Sequence, residues 1–428
     1  MNRAELTPHP LAIWVVNPFD DIPGEGLQPL RFWTLCRVLA ARGHDVTWWT
    51  ANWSHRRKAF RRPPPQLFDE EGFAIRLVPV RPYTGNVSLK RLGSHRDFGR
   101  GLEKLATTAV ASGELERPDI ILASLPPLEG PEAAARLASR LDSVLVVDLM
   151  DLWPETFERL LPLPGWLRDI VSPVLLGGMK RRRRQVLELA DGVSAATATY
   201  AERSLADVPG QRPTHVCHLG AFLQEYPSPP RSAPLDAAVQ AAPPPALSCV
   251  FAGTLERGQD LDTVIAAARL LSAAGEQIDI HIAGTGRVEG GLRTAAAAIP
   301  GPTRVVVHGL LKRAAYAELL CSCDVGLVAV RPETLVAVPY KACDYAAAGL
   351  ALVNSLPGEL SALIDEHRAG LDYTAGDPES LVRALSVFSK DRSLLQACRQ
   401  GATRLAEACF DREKTYPRFA RWLESMAG

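Results

Sequence analysis

The chain has 428 residues and equal numbers of acidic and basic side chains, 48 of each, so its formal net charge is zero. This length accommodates two or three domains, and a composition of 47% hydrophobic and 22% charged residues is typical of globular proteins. The neutral balance gives no electrostatic argument for a nucleic-acid partner, and we expect none.

The eight cysteines form no CxxC pair, and the single CxC, Cys321 and Cys323, has no second pair or neighbouring histidine. We therefore expect no metal site, and scattered cysteines in a large chain are typical of a reducing cytoplasm. The apolar part of the segment MNRAELTPHPLAIWVV is too short for a signal peptide, and no uninterrupted apolar run approaches the roughly 18 residues of a membrane span. These features predict a cytoplasmic protein.

The first half of the chain alternates between apolar runs, which predict strands, and helical periodicity. The predicted strands are 11–16, 44–51, 73–80, 119–124, 143–149 and 191–197, and the predicted helices are 27–42, 96–113 and 130–141. Strand–helix alternation of this kind predicts a parallel, doubly wound α/β sheet.

Residues 226–246, YPSPPRSAPLDAAVQAAPPPA, interrupt this alternation with seven prolines. So many prolines fit neither a helix nor a sheet, and we interpret the segment as a semi-rigid interdomain linker. The alternation then restarts. The predicted strands are 247–253, 278–284, 303–309, 324–330 and 350–355, and the predicted helices are 260–274, 289–298, 341–348 and 411–424. We therefore predict domains at 1–225 and 247–410, and a terminal helix in 411–428 that could pack back on the first domain.

The segment 338–353, VPYKACDYAAAGLALV, combines a cation, a carboxylate and a helix start. Unpaired N–H groups at a helix N-terminus bind phosphate, Lys341 adds a positive charge, and Asp344 lies close to the same helix face. A carboxylate there can accept hydrogen bonds from sugar hydroxyls, so the pattern predicts a clamp for a nucleotide sugar. The alternative is an ordinary alanine-rich packing helix with solvated Lys341 and Asp344.

Several blocks of the chain resemble one enzyme family in order and spacing. They are NPFDDIPGEGLQPLRFWTLCRVLAARGHDVTWWT at 17–50, VLVVDLMDLWPE at 144–155, FAGTLERGQDLDTVIAAARLL at 251–271, IAGTGRVEGGL at 282–292, CDVGLVAV at 323–330 and the segment 338–353. Together they resemble the retaining nucleotide-sugar glycosyltransferases of family 4. The DLWPE block is similar to that of the L-fucosamine transferase-like subgroup, which works in surface-polysaccharide synthesis.

The resemblance implies a GT-B fold, in which two Rossmann-like domains face each other across a cleft. It implies an acceptor-side first domain and a second domain that binds the nucleotide sugar, with UDP as the expected nucleotide and no metal. The sugar would be of hexosyl or N-acetylhexosaminyl type, and the acceptor would be lipid-linked or a small molecule. Two further interpretations stay open: a nucleotide-sugar epimerase of GT-B fold, and a non-catalytic subunit that binds sugar nucleotides.

The resemblance also assigns the site residues. Asp151 and Lys341 are the expected catalytic residues. The expected donor-binding residues are Gly24, Gly26, Gly253, Thr254, Arg257, Gln259, Gly284, Pro339, Tyr340, Lys341 and Asp344. Asp148 and Glu155 compete with Asp151 for the acidic role, and all three could instead be turn or capping carboxylates.

The chain departs from the family at three places. Asp344 stands where the family has the longer glutamate that holds the ribose, and Val336 replaces a second family glutamate. Thr254 and Gln259 occupy the positions of the arginine and lysine that clamp the diphosphate in many relatives, so Arg257 is a candidate for the missing charge.

Two basic clusters, 56–62 (RRKAFRR) and 180–184 (KRRRR), lie in the first half of the chain. They favour peripheral contact with the inner face of a membrane through anionic lipids. The alternative is that each cluster is simply a solvated, charged face.

Overall fold

The computed structural model describes residues 9–25, 29–61, 71–85, 88–160, 165–226, 247–331 and 333–428. It divides into two compact units, which we call unit 1 and unit 2. Unit 1 comprises Met1–Cys217 and Lys414–Gly428, and unit 2 comprises His218–Glu413. The predicted linker 226–246 lies outside the described residues, except for Tyr226.

Unit 1 is built on a seven-stranded parallel sheet with the order β5-β2-β1-β6-β7-β8-β9. The strands of unit 1, including the antiparallel ribbon β3–β4, are β1 (Ala12–Val16), β2 (Asp45–Ala51), β3 (Trp53–Ser54), β4 (Ala59–Phe60), β5 (Ala74–Val78), β6 (Ile120–Leu125), β7 (Val144–Leu149), β8 (Gly192–Ala195) and β9 (Thr214–Val216). The central strands are buried along nearly their whole length, as expected for a sheet covered on both faces.

Helices follow most of these strands. They are α1 (Arg31–Ala41), α2 (Leu89–Ala111), α3 (Glu129–Leu141), α4 (Glu155–Leu160), α5 (Gly165–Leu189), α6 (Ala198–Leu205) and, from the end of the chain, α14 (Arg412–Glu424). Helix α2 begins before the predicted start at residue 96, because Ser88 caps it and accepts a hydrogen bond from the backbone N–H of Arg91 at 3.2 Å. From α14, Tyr416, Phe419 and Leu423 pack into the apolar core of unit 1.

A buried ion pair ties the elements of unit 1 together. The side chains of Arg31 on α1 and Asp148 on β7 are fully inaccessible, and their two N–O distances are 2.7 and 2.9 Å. Arg31 also donates to the carbonyl of Cys217 at 2.5 Å and lies 5.0 Å above the ring of Phe419, while Ser194 on β8 donates to Asp148 at 2.6 Å. The interaction therefore joins α1, β7, β8 and α14.

Unit 2 contains a six-stranded parallel sheet with the order β12-β11-β10-β13-β14-β15. Its strands are β10 (Leu247–Ala252), β11 (Ile278–Ala283), β12 (Arg304–Gly309), β13 (Val325–Val328), β14 (Ala351–Asn354) and β15 (Gly370–Asp372). Its helices are α7 (Leu261–Ala273), α8 (Glu289–Ala297), α9 (Arg313–Ser322), α10 (Tyr340–Ala347), α11 (Glu359–His367), α12 (Pro378–Lys390) and α13 (Arg392–Leu405). Two parallel, Rossmann-like α/β sheets are thus present, and the predicted fold class is confirmed.

Replacement of Arg31 by methionine should strongly destabilise unit 1, because it leaves the Asp148 carboxylate buried and uncompensated. We expect the free energy of unfolding to fall by about 3–5 kcal/mol. Urea unfolding followed by tryptophan fluorescence measures this loss in unit 1 alone, since all eight tryptophans belong to that unit.

The matched control is Arg37→Met on the same helix, where the arginine side chain is 56% exposed and pairs with Glu71. This variant should change stability by less than about 1 kcal/mol. Equal losses for the two variants would contradict a structural role for the buried pair.

Candidate functional site

The carboxyl ends of β10 and β11 approach each other closely in unit 2. Gly253 donates its backbone N–H to the carbonyl of Ala283 at 3.0 Å, and Gly253 and Gly284 have φ angles of 149° and 135°. A Cβ atom at Gly284 would lie 1.8 Å from the carbonyl oxygen of Gly253, so no other residue fits there without moving the backbone. Gly253 and Thr254 remain exposed at this edge, where parallel α/β sheets place their ligands.

Lys341 lies in the first turn of α10 and contacts the close approach of Gly253 and Gly284, which we call the glycine corner. Its Nζ atom donates to Oε1 of Gln259 at 2.7 Å and lies 3.9 Å from the ring centre of Phe251. A Cβ atom at Gly253 would be 3.3 Å from Nζ, so the ammonium group lies directly against the glycine. The structure therefore brings together the predicted donor residues Gly253, Gln259, Gly284 and Lys341 from three separate segments.

The electrostatic environment of Lys341 favours an anion. Burial lowers the pKa of Lys341 to about 7, because desolvation disfavours the charged form. Its hydrogen-bond partner among the described residues is the neutral amide of Gln259. A phosphate at this position would restore the missing negative charge and raise the pKa again, and the N-terminal N–H groups of α10 would add their positive dipole end.

Asp344, one turn later on α10, belongs to a tyrosine and arginine network. Tyr226 donates its hydroxyl to Oδ1 at 2.6 Å and Tyr316 donates to Oδ2 at 2.9 Å. Arg313 donates to the Tyr226 hydroxyl at 2.7 Å, and one of its nitrogens lies 3.8 Å from Oδ1 of Asp344. Burial raises the pKa of Asp344, while Arg313 and the two tyrosines oppose that shift. Ribose hydroxyls would have to use the remaining lone pairs of the carboxylate or replace a tyrosine.

No sequence pattern predicted these three partners of Asp344. Tyr226 was assigned to the linker, and neither Arg313 nor Tyr316 belongs to a motif that we recognised. Tyr226 is 118 residues and Tyr316 is 28 residues from Asp344 in the chain. No local spacing signals such a contact, because it depends on how α9 and the residues before the linker pack on α10.

The remaining predicted donor residues are more scattered. Arg257 is exposed on the loop between β10 and α7, while Pro339 and Tyr340 are half-buried at the start of α10. Gly24, with φ of 83°, lies in unit 1 and is exposed. Gly26 lies outside the described residues.

Asp151 lies in the turn between β7 and α4. Its Oδ1 atom accepts hydrogen bonds from the backbone N–H of Leu152 at 2.7 Å and from the hydroxyl of Thr156 at 3.1 Å. Burial raises the pKa of Asp151, and these hydrogen bonds oppose the shift. The contacts of Oδ1 are those of a turn carboxylate, the alternative noted from the sequence.

The two competing carboxylates are each committed to a salt bridge. Asp148 is fully buried against Arg31. Glu155 accepts from Arg183 at 2.6 Å. Among the three acidic candidates, Asp151 is the one for which the described residues provide no salt bridge, so it remains the preferred candidate for the acidic role.

The basic cluster 180–184 makes many salt bridges. Four of its five side chains are within 3 Å of a carboxylate oxygen; the pairs are Lys180–Glu158, Arg182–Glu132, Arg183–Glu155 and Arg184–Glu188. In the cluster 56–62, Arg56 lies 3.4 Å from Asp21, and Arg57 and Arg61 lie 3.7 and 3.9 Å from Glu25. Much of the local positive charge is therefore balanced within unit 1.

The described ranges contain neither a membrane-spanning helix nor a metal-binding group of side chains. None of the helices there is both long and apolar enough to cross a bilayer. Nor does this part of the chain contain three or more His, Cys, Asp or Glu side chains grouped to hold a metal ion.

Replacement of Gly284 by alanine should destabilise unit 2 and disrupt the corner that holds Lys341, since the new Cβ atom would overlap the Gly253 carbonyl. We expect a loss of at least about 2 kcal/mol, measured by calorimetric unfolding. Gly290→Ala on α8 is the control, because nothing lies within 4 Å of its Cβ position. Unchanged stability in Gly284→Ala would show that the close approach is not required.

Comparison with solved structures shows the same fold at low sequence identity. Anabaena Alr3699/HepE, solved in complex with UDP, is 15% identical with a TM-score of 0.66, over 97% of this chain and 100% of that one. Sucrose-phosphate synthase from Thermosynechococcus elongatus is 15% identical with a TM-score of 0.69, over 97% and 99%. A putative UDP-N-acetylglucosamine 2-epimerase from Listeria monocytogenes is 11% identical with a TM-score of 0.57, over 97% and 96%. These likenesses show a GT-B fold.

Comparison with family models identifies both halves of the chain. Residues 30–220 match the glycosyl transferase 4-like domain, and residues 246–391 match the glycosyl transferases group 1. Comparison with curated proteins gives no match. The two matched ranges take in most of unit 1 and most of unit 2. The chain therefore belongs to the glycosyltransferases, with a glycosyl transferase 4-like domain followed by a group 1 domain.

Proposed function

We propose that this protein is a retaining glycosyltransferase that moves a sugar from a UDP-sugar to an acceptor hydroxyl. Unit 2 binds the donor and unit 1 binds the acceptor. The observation that carries the proposal is the contact of the Lys341 ammonium group with Gly253, at the start of α10. Alr3699/HepE has been solved with UDP and with UDP-glucose, which supports UDP as the nucleotide.

The chemistry requires a site that stabilises a departing diphosphate. Negative charge grows on the leaving group as the bond to the sugar breaks, so donors placed in advance lower the barrier. Lys341 supplies the cation, and the exposed backbone at Gly253 and Thr254 lets a phosphate approach closely. Because burial lowers the pKa of Lys341 to about 7, this residue gains charge when a diphosphate binds.

Asp344 and Asp151 take the two other roles in this proposal. Asp344 binds the ribose hydroxyls through the lone pairs that Tyr226 and Tyr316 leave available. Asp151 orients the acceptor hydroxyl or stabilises the reacting sugar, and its elevated pKa suits a group that exchanges a proton. We assign no enzymatic nucleophile, since the transfer would proceed on one face of the sugar.

The wider context of the proposal comes from the resemblance to the L-fucosamine transferase-like subgroup. We infer a cytoplasmic enzyme of cell-surface polysaccharide or glycoconjugate synthesis that transfers a hexosyl or N-acetylhexosaminyl group. Its acceptor is lipid-linked or a small molecule. No metal is needed, because Lys341 and the helix N-terminus would offset the phosphate charge.

The function is tested by incubating the protein with a panel of UDP-, GDP- and dTDP-sugars and measuring nucleotide release. We expect slow release from one UDP-sugar by hydrolysis, and an intact nucleotide product. Conversion to a different sugar nucleotide without release would instead identify an epimerase. Binding without any turnover, even when candidate acceptors are added, would identify a non-catalytic subunit.

In the same assay, Lys341→Met should lower turnover by roughly 10²–10³-fold, a typical loss for one group that stabilises transition-state charge. The control is Lys390→Met, whose side chain is 72% exposed on α12 of the same unit. An unchanged rate for Lys341→Met would remove Lys341 from the mechanism.

The affinity for UDP should depend on pH through Lys341. Its pKa is lowered to about 7, so the cation is present below pH 7 and is lost as the pH rises through 7. We expect the Kd of UDP to rise about tenfold between pH 7 and 8.5, measured by calorimetric titration. Lys341→Met retains the titration of UDP itself but should lose this additional dependence. Identical pH profiles for the two proteins would contradict the assignment.

A further inference from the structure

Unit 1 contains a group of aromatic and basic side chains that the proposed mechanism does not use. We call it the His95 cluster, and it consists of Phe19, His55, Lys58, Arg91, His95 and Trp153. Phe19 and Trp153 follow β1 and β7, so they lie beyond the carboxyl ends of parallel strands of one sheet. Ligands of parallel α/β sheets bind at that edge.

His95 is the buried centre of the cluster. The residue is only 3% exposed, and its ring centre lies 5.5 Å from that of Phe19 and 5.8 Å from that of Trp153. Neither ring nitrogen makes a hydrogen bond with the described residues, and the nearest carboxylate oxygen, on Glu129, is 4.0 Å from Nδ1. Buried polar atoms normally have a hydrogen-bond partner, so an imidazole of this kind is a candidate to bind a ligand.

The protonation state of His95 fixes what it can bind. Burial, followed by the charges of Arg91 and His55, lowers the pKa of His95 to about 3. The ring is therefore neutral, with one nitrogen that donates and one that accepts a hydrogen bond. A sugar hydroxyl, which both donates and accepts, matches this pair.

The surroundings of His95 are positively charged. The guanidinium group of Arg91 lies 5.3 Å above the ring of Phe19 and 5.6 Å above that of Trp153, and the ammonium group of Lys58 lies 4.9 Å above the ring of Tyr83. Burial and these two cations lower the pKa of His55 to about 4. The local field therefore attracts an anion.

The residues of the cluster differ in solvent exposure, and we call the buried ones the floor and the half-buried ones the rim. His95 and Trp153 are buried, whereas Phe19, Lys58 and Arg91 are half-buried and reachable from solvent. A ligand would thus meet the cations first and the aromatic rings and imidazole beneath them. Two cations suit a phosphate, and the imidazole beneath them suits a sugar hydroxyl.

We propose that the His95 cluster binds a sugar phosphate ester, with a sugar hydroxyl on the imidazole of His95 and the phosphate on Lys58 and Arg91. The proposal rests on the proposed function, in which this ligand is the acceptor. The same chemistry is offered by a free sugar phosphate and by a sugar attached to a lipid through a phosphate.

Glucose 1-phosphate is the probe, and its binding to the full chain is measured by calorimetric titration with and without UDP. Arg91→Gln should weaken binding about tenfold and reduce its dependence on salt. The control is Arg96→Gln, an exposed arginine on the same helix, which should bind like the unchanged protein. Neutral glucose should bind at least tenfold more weakly than glucose 1-phosphate.

His95→Phe tests the buried floor separately and should weaken binding about tenfold, the value of roughly one hydrogen bond. Arg91 is only half-buried, so Arg91→Gln keeps the proposal testable if His95→Phe does not fold. Equal affinities of Arg91→Gln and Arg96→Gln would overturn the proposal. So would glucose binding as tightly as its phosphate.

The probe also resembles part of a donor, and one variant separates the two sites. If Lys341→Met abolishes binding while Arg91→Gln does not, the probe occupies unit 2 and the proposal fails. Because the titration does not require turnover, a protein that releases no nucleotide but still binds the probe through Arg91 contradicts the proposed function alone.

The source of the ligand is decided by a second titration, with glucose 1-phosphate esterified to a short prenyl chain. Tighter binding of the ester that still depends on Arg91 supports the proposal and identifies a lipid-linked acceptor. Affinity equal to that of the free compound, with the same dependence, supports it and identifies a free sugar phosphate. If the ester binds to Arg91→Gln as tightly as to the unchanged protein, the proposal is overturned.

Discussion

The close approach of Gly253 and Gly284 is the constraint on which the candidate donor site depends. The carbonyl of Gly253 occupies the place where a Cβ atom of Gly284 would be, so β10 and β11 end with their backbones in contact. The Nζ atom of Lys341 lies against Gly253 and the ring of Phe251. A larger residue at the corner would displace the backbone that positions this cation.

The buried cations Arg31 and Lys341 have different kinds of partner. In unit 1, Arg31 and Asp148 are fully buried and satisfy each other, and most of the basic cluster 180–184 is paired with glutamates. In unit 2, Lys341 is desolvated beside a neutral amide. Paired charges stabilise a fold or leave it unchanged, whereas a desolvated cation without a carboxylate is poised for an anionic ligand. The contrast between Lys341 and the Arg31–Asp148 pair supports the proposal that Lys341 holds the diphosphate.

The Asp344 network and the His95 cluster show two ways of placing polar groups near a ligand. Asp344 is already satisfied by Tyr226 and Tyr316, so a ribose would compete with protein donors. His95 has no hydrogen-bond partner among the described residues, so a ligand hydroxyl could form a hydrogen bond with its imidazole without displacing a protein group. Tyr226 is also the first residue of the proline-rich segment, and its hydroxyl joins the start of that segment to α10.

The sequence by itself determined the local features of this protein. Apolar runs and helical periodicity located most strands and helices, because burial on a sheet face or helix face leaves a short-range pattern. Pro339 and Lys341 were placed at a helix start for the same reason. The start of α2 was misplaced because its cap, Ser88, lies before the periodic residues.

The tertiary structure decided which side chains meet. Gln259 and Lys341 are 82 residues apart, and Tyr226 and Asp344 are 118 apart. Their contacts follow from the strand order and helix packing, which no local pattern encodes. The sequence favoured Asp151 and kept Asp148 and Glu155 as competitors. Only the fold shows that the two competitors form salt bridges, Asp148 with the buried Arg31 and Glu155 with Arg183.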